Sequence, residues 1–578
     1  MIPNYWSLFS ASGFHRRDFI IVIECGENPG LCQLITKTVH HFSYPHCVYI
    51  CLAVQVFSQT YVSGNFSRPH IMTRKTIILV GFILLKFLLQ YFLISSDYDL
   101  QRDEYLHLDQ AHHLAWGFQS IPPLTSWVSY IIYLLGNTVF WIKFFPALFG
   151  ALTIFIVWKA VEELNGNLFA LILGATCILF SALLRINTLY QPNSFDVLSW
   201  TTFNFIVIKY FKTENTKWLY IEATVFAIGF LNKYNIVFLL IGLLPSLLLT
   251  KHRKIFLKPS LYFAILFGLV LILPNLVWQY NNNFPVFHHL KELAETQLIN
   301  VNRLDFLKNQ LLFFIGSIIV IFSSFYALLF YKPFKKYRLF FFSILFTLIA
   351  FIYFRAKDYY AIGIYPIYIA FGSVYLADIL KDGWRKYLQP VAIAVPLLLF
   401  IPIYNVAFPN KSPEYIVQHS ENYKKLGMLR WEDGKDHLLP QDFSDMLGWK
   451  ELALKVDSVY LRLPNKNNTL ILCDNYGQAG AINFYTSQKL RAVSFNADYI
   501  NWFDLTKKYE NLIRVKEQED ANVELEETSP FFQNSKLATS ITNIYSREFG
   551  TTVFVFTGAK IDINTRIKDE IDEKKNYR

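Results

Sequence analysis

From Thr76 onward the chain is a succession of apolar runs separated by short polar connections. The runs fall at residues 76–94, 138–160, 167–187, 194–211, 217–232, 234–250, 258–279, 305–330, 338–354, 360–381 and 387–406. Most are long enough to cross a hydrocarbon layer of about 30 Å as helix, at about 1.5 Å per residue. Barrel strands would be shorter and alternating, so the pattern predicts a helical polytopic membrane domain with eleven spans. The stretch 124–135 is apolar but too short to span. It follows Pro122-Pro123 and ends at Gly136, and it predicts a helix lying in the membrane surface. After Pro409 the pattern becomes that of a soluble protein. Residues 449–462 have the period of an amphipathic helix, and 468–473 and 552–556 read as strands. The predicted fold is therefore an all-α membrane domain over 72–408 followed by an α/β domain over 409–578.

Charge orients this arrangement. Lys251-His252-Arg253-Lys254 and the basic segments 332–338 and 381–386 are short loops, which the positive-inside rule places in the cytoplasm. Counting from them places 95–124, 188–193, 281–304 and 355–359 outside, together with everything after Phe408. Charged residues make up 17% of the chain, against about 25% in soluble proteins. The net charge of +10 sits largely in the short loops, so it marks topology and not a nucleic-acid partner. The six cysteines show no metal or redox spacing. Residues 1–71 differ from the rest in composition, and the basic flank Met72-Thr73-Arg74-Lys75 precedes the first strong span. Met72 is expected as the native start, with 1–71 a non-native or disordered extension.

The chemistry concentrates outside. Asp97-Tyr98-Asp99-Leu100-Gln101-Arg102-Asp103-Glu104 leaves the first span as an acidic cluster at a membrane mouth. A carboxylate there, Asp103 or Glu104, can take the proton of an attacking hydroxyl; the alternative is a solvated helix flank. Asp103/His107 and Asp109/His113 are each four apart, which leaves a divalent metal open, although a metal-free histidine cluster is the commoner state. Asp196, Lys233, Arg355 and Lys357 lie at outer span ends, where charge is costly. Cations on the face of Asp103 could hold a phosphate and stabilise its leaving charge, and snorkelling at helix ends is the plainer reading. Asn475-Tyr476-Gly477-Gln478-Ala479-Gly480 follows the first strand like a phosphate turn, but without its glycine spacing. Close strand–helix packing accounts for it better.

In order, these residues resemble a known family. Arg102-Asp103-Glu104, His113-Leu114-Ala115-Trp116-Gly117-Phe118 and Pro122-Pro123-Leu124 are similar to the first external loop of bacterial glycosyltransferase family 39. Leu231-Asn232-Lys233-Tyr234, Leu273-Pro274-Asn275 with Trp278-Gln279, and Lys357-Asp358-Tyr359-Tyr360 with Tyr365-Pro366 resemble further elements of that family. So do Leu439-Pro440-Gln441-Asp442-Phe443 and Asn475-Tyr476-Gly477 in the C-terminal part. The resemblance implies the GT-C fold of protein O-mannosyltransferases and lipid A aminoarabinose transferases. It implies a hexosyl or pentosyl transferase that takes its sugar from a polyprenyl-phosphate donor and inverts the anomeric centre. The acceptor would be a glycolipid, glycan or protein of the bacterial envelope, and the enzyme would sit in the cytoplasmic membrane.

On that reading Asp103 is the catalytic general base, with Glu104 as its alternate or its supporting neighbour. Arg102, Lys233 and Lys357 bind the donor phosphate, and Tyr359, Tyr360 and Asp196 line the substrate cavity. One departure stands out: where many relatives carry an aspartate before the Pro-Pro pair, this chain has Gln119-Ser120-Ile121. The rival class is a secondary transporter using intramembrane Lys and Asp as coupling sites, but no paired internal repeat supports it. A non-catalytic lipid-binding subunit is the third.

Overall fold

The structure, a computed structural model, describes residues 72–463 and 466–576; the expectations for residues 1–71 lie outside them. Each of the apolar runs is helical. By length and hydropathy, five described helices can cross a membrane, or up to seven if each bent pair counts as one span. They include Arg74–Phe92, capped by Thr73, and Val139–Glu163. The short apolar run is a separate helix, Leu124–Leu134, closed by Gly136 at φ +97°.

Two runs expected as single spans are broken. The 167–187 run stops as a helix at Leu179 and resumes as the short helix Leu183–Ile186. The 305–330 run divides into Arg303–Phe313 and Ile318–Phe330, with a bend of 69°. The two breaks lie against each other, and Ala182 N–H donates to the Phe313 carbonyl at 3.0 Å. Irregular backbone at membrane depth must find its partners inside the protein, and here one break supplies the other. Gly316 permits the second break, because a Cβ there would fall 2.7 Å from Pro396 Cα.

The C-terminal part is built on a mixed five-stranded sheet in the order β2-β1-β3-β5-β4. Its strands are β1 (Thr469–Cys473), β2 (Ala492–Ser494), β3 (Asn511–Lys516), β4 (Phe532–Ser540) and β5 (Thr552–Ala559). β1 pairs in parallel with β2 and β3, while β5 is antiparallel to β3 and β4. The expected helix is present as Trp449–Leu461.

The core of this domain does not stop at its own chain segment. Tyr105, Leu106 and Leu108 of the first external loop share one apolar cluster with Trp449, Leu452, Ala479, Ile482 and Ile513. The helices Arg102–Asp109 and Tyr476–Tyr485 meet closely because of two glycines. A Cβ at Gly477 would lie 2.7 Å from Arg102 Cγ, and one at Gly480 would lie 2.6 Å from Tyr105 Cβ. Backbone bonds from Asp99 N–H to Met446 (2.7 Å) and from Arg102 N–H to Asp445 (3.0 Å) fasten the loop further. The small residues of the 475–480 segment thus serve the docking of one helix on another, where strand–helix packing was expected.

Candidate active site

The Arg102–Asp109 helix opens with a capping box. Gln101 accepts from Asp103 N–H at 2.9 Å, and Glu104 accepts from Gln101 N–H at 2.7 Å. This sets Asp103 and Glu104 in the first helical turn, where the helix dipole favours negative charge. The two neighbours then have different environments. Glu104 is fully buried, and its oxygens accept from Lys143 Nζ (2.7 and 2.8 Å), from Tyr190 N–H (2.6 Å) and from Gln101. Asp103 is only half-buried. It accepts from Tyr476 Oη at 2.6 Å on Oδ1 and from Gln191 Nε2 at 3.2 Å on Oδ2.

A row of polar groups runs from Asp103 to Lys233. Asn193 Nδ2 donates to Gln191 Oε1 at 3.0 Å, and Lys233 Nζ donates to Asn193 Oδ1 at 2.8 Å. The Lys233 ammonium lies 4.3 Å from the Tyr360 ring centre and 5.3 Å from that of Tyr359, which is cation–π range. Asp196 is 5% exposed, and Trp200 Nε1 (3.0 Å) and Asn235 Nδ2 (2.9 Å) occupy its oxygens. Asn235 also donates to the Tyr360 carbonyl at 2.9 Å, so Asp196 supports the wall of the cation site from behind.

Lys357 stands on the same side, within electrostatic reach of both Lys233 and Asp103. Its partner comes from the C-terminal part: Nζ lies 2.6 Å from Glu432 Oε1. Burial acts to raise the Glu432 carboxyl, but Lys357, Gln441 and Arg547 outweigh it and hold the group below its ordinary value. A second such pair joins Arg185 to Asp442 at 3.5 Å, and Arg185 Nη2 is buried without a hydrogen bond. Arg102 stacks on the Tyr476 ring at 4.4 Å, with its Nε buried and unbonded. Beneath it, burial pushes the Asp445 carboxyl up to about 7, against the opposing pull of Arg547 and Arg102.

The histidines do not converge on the aspartates. His107 is buried beside Gln110, while His113 stacks on Trp502 at 4.3 Å and is pushed down to about 4 by burial and by Arg491. Asp109 accepts from Asn483 and Tyr499. Among the described residues no group of three or more His, Cys, Asp or Glu side chains could hold a metal ion. Ahead of the Pro-Pro pair an acid arrives from the C-terminal part: Asp498 accepts from Gln119 N–H at 2.8 Å and from Gln110 Nε2 at 3.0 Å.

The structure therefore brings together Arg102, Asp103, Lys233, Lys357, Tyr359 and Tyr360, and it sets Glu104 and Asp196 behind them as saturated, buried groups. Sequence reasoning passed over Gln191, Asn193, Arg185 and Glu432, and it gave Tyr476 no role at the site. Arg185 had a signal, a single cation near the end of an apolar run.

Comparison with solved structures shows a shared fold. ArnT from Cupriavidus metallidurans, bound to undecaprenyl phosphate, superposes with a TM-score of 0.54 over 83% of this chain and 97% of its own, at 12% identity. The apo state of the same protein gives 0.55 over 84% and 98%, also at 12% identity. The fold is that of the GT-C glycosyltransferases. A family model described as dolichyl-phosphate-mannose-protein mannosyltransferase matches residues 120–278 of this chain. Lipid A galacturonosyltransferase RgtD of Rhizobium johnstonii is 23% identical over 232 residues, which are 39% of this chain. The chain spans about half the length of that curated relative, 47%.

Proposed function

We propose that this protein transfers a single sugar from a polyprenyl-phosphate donor to an acceptor at the outer face of the bacterial cytoplasmic membrane, with inversion at the anomeric carbon. The observation that carries the reading is the unbroken row Lys233–Asn193–Gln191–Asp103, with a cation at one end and a half-buried carboxylate at the other. That arrangement suits a displacement in which charge develops on a leaving phosphate while a proton leaves the nucleophile. The relatives fit it: one solved fold relative is bound to undecaprenyl phosphate, and the matching curated protein is a lipid A glycosyltransferase.

In the proposed step an acceptor hydroxyl attacks the anomeric carbon from the face opposite the phosphate. The new C–O bond forms as the bond to the phosphate oxygen breaks, and the phosphate keeps the electron pair. Asp103 takes the hydroxyl proton, and Lys233 and Lys357 stabilise the departing polyprenyl phosphate. Tyr359 and Tyr360 fix Lys233 without neutralising it. Arg102 adds positive potential from the Asp103 side. Glu104 is a positioning group, since Lys143, Tyr190 and Gln101 occupy its oxygens. Asp196 positions Asn235 and, through it, Tyr360.

The test uses purified protein in liposomes with the lipid-linked sugar fraction of the source membranes, read by mass spectrometry of the acceptors. Wild-type protein adds one glycosyl unit, and Asp103→Asn slows the addition by roughly 10²-fold or more. Full-rate transfer by Asp103→Asn would refute Asp103 as the base.

A further inference from the structure

The C-terminal domain touches the candidate base directly, through one hydroxyl. Tyr476 Oη donates to Asp103 Oδ1 at 2.6 Å, at the short end for a charge-assisted bond. Among the described residues the other side-chain donor to this carboxylate is Gln191, on the opposite oxygen and longer, at 3.2 Å. Oδ1 is therefore the anchored oxygen, and Oδ2 faces the row that leads to Lys233.

Tyr476 is itself held firmly. It is the first residue of its helix, behind an Asn475 cap whose amide donates to Glu517 at 2.6 Å and to Glu548 at 3.2 Å. Gln478 completes the capping box and donates to Glu548 at 2.7 Å. Glycine at 477 lets the helix approach until the Arg102 guanidinium covers the tyrosine ring. Burial, and then the Asp103 charge, push the Tyr476 phenol well above its ordinary value, so it remains a donor throughout the working pH range.

We propose that Tyr476 is a positioning residue for the transfer reaction: its hydroxyl fixes the rotation of the Asp103 carboxylate, so the C-terminal domain completes the catalytic site. The inference rests on the assignment of Asp103 as the base. It gives the domain a chemical role beyond capping the membrane part, and it explains why two glycines bring its helix against the first external loop.

Tyr476→Phe tests this, because it keeps the ring on Arg102 and removes only the hydroxyl. In the full-length protein in liposomes, kcat should fall about 10- to 100-fold while the KM for donor lipid stays within about twofold. Difluorotyrosine at 476, a donor of similar size, should keep kcat near the wild-type value. A purely structural role would lower the yield of folded protein and leave kcat per folded molecule unchanged. If Asp103→Asn is inactive while Tyr476→Phe keeps the wild-type kcat per folded molecule, this inference alone is overturned. If Asp103→Asn retains transfer, the base assignment and this inference fall together.

Discussion

Adjacent carboxylates at 103 and 104 have opposite fates because they occupy different positions in one capping box. Glu104, at the third position of the helix, turns back onto the Gln101 amide and meets Lys143, which the Val139–Glu163 helix carries toward it. Asp103 points to the row of donors. The sequence made the pair visible but not the choice between them, since that choice depends on Lys143 and Tyr190, far away in the chain. The expected consequence separates stability from chemistry. Glu104→Gln leaves the Lys143 ammonium, 19% exposed, without a counter-charge, and removing one partner of a buried pair costs about 3–5 kcal/mol. Thermal unfolding in detergent should therefore begin at lower temperature for Glu104→Gln than for Asp103→Asn. The larger loss of transfer per folded molecule should belong to Asp103→Asn.

Apolar periodicity marked the membrane helices well because each carries its own signal. The two breaks were not legible, since each is stabilised by the other across the bundle and by Pro396 against Gly316. Strands were legible in proportion to their burial. β1 and most of β5 are buried and were expected, whereas β4 is largely exposed and lies at the sheet edge, and β2 has three residues. The central strand β3 was missed because Arg514 interrupts its apolar run and finds its partner, Asp474, on the neighbouring loop. At this scale the helix pair Arg102–Asp109 and Tyr476–Tyr485 is the joint that matters. Gly480→Leu would force the helices apart at Tyr105 and should lower the unfolding temperature, with about 1–3 kcal/mol lost to overpacking. Transfer should fall with it, because the same joint carries Tyr476 to Asp103. Unchanged stability and transfer would show that the close approach is dispensable.

Over the whole molecule, the C-terminal domain acts on the membrane domain at several points. Tyr476 reaches the carboxylate, while Glu432 and Asp442 reach Lys357 and Arg185. The family resemblance located Lys357 but could not show that a carboxylate from a distant loop covers it. If Lys357 holds the donor phosphate, Glu432 competes with that phosphate for the same ammonium. Glu432→Gln should then lower the KM for donor lipid several-fold, and a raised KM would instead make Glu432 the residue that orients Lys357.

Release of polyprenyl phosphate, measured against sugar transferred in sealed proteoliposomes, tests the account at its centre. It predicts one polyprenyl phosphate released for each sugar joined to acceptor by the wild type, with both products lost together in Asp103→Asn. Passage of an intact solute across the bilayer with no polyprenyl phosphate released would contradict it and favour a transporter.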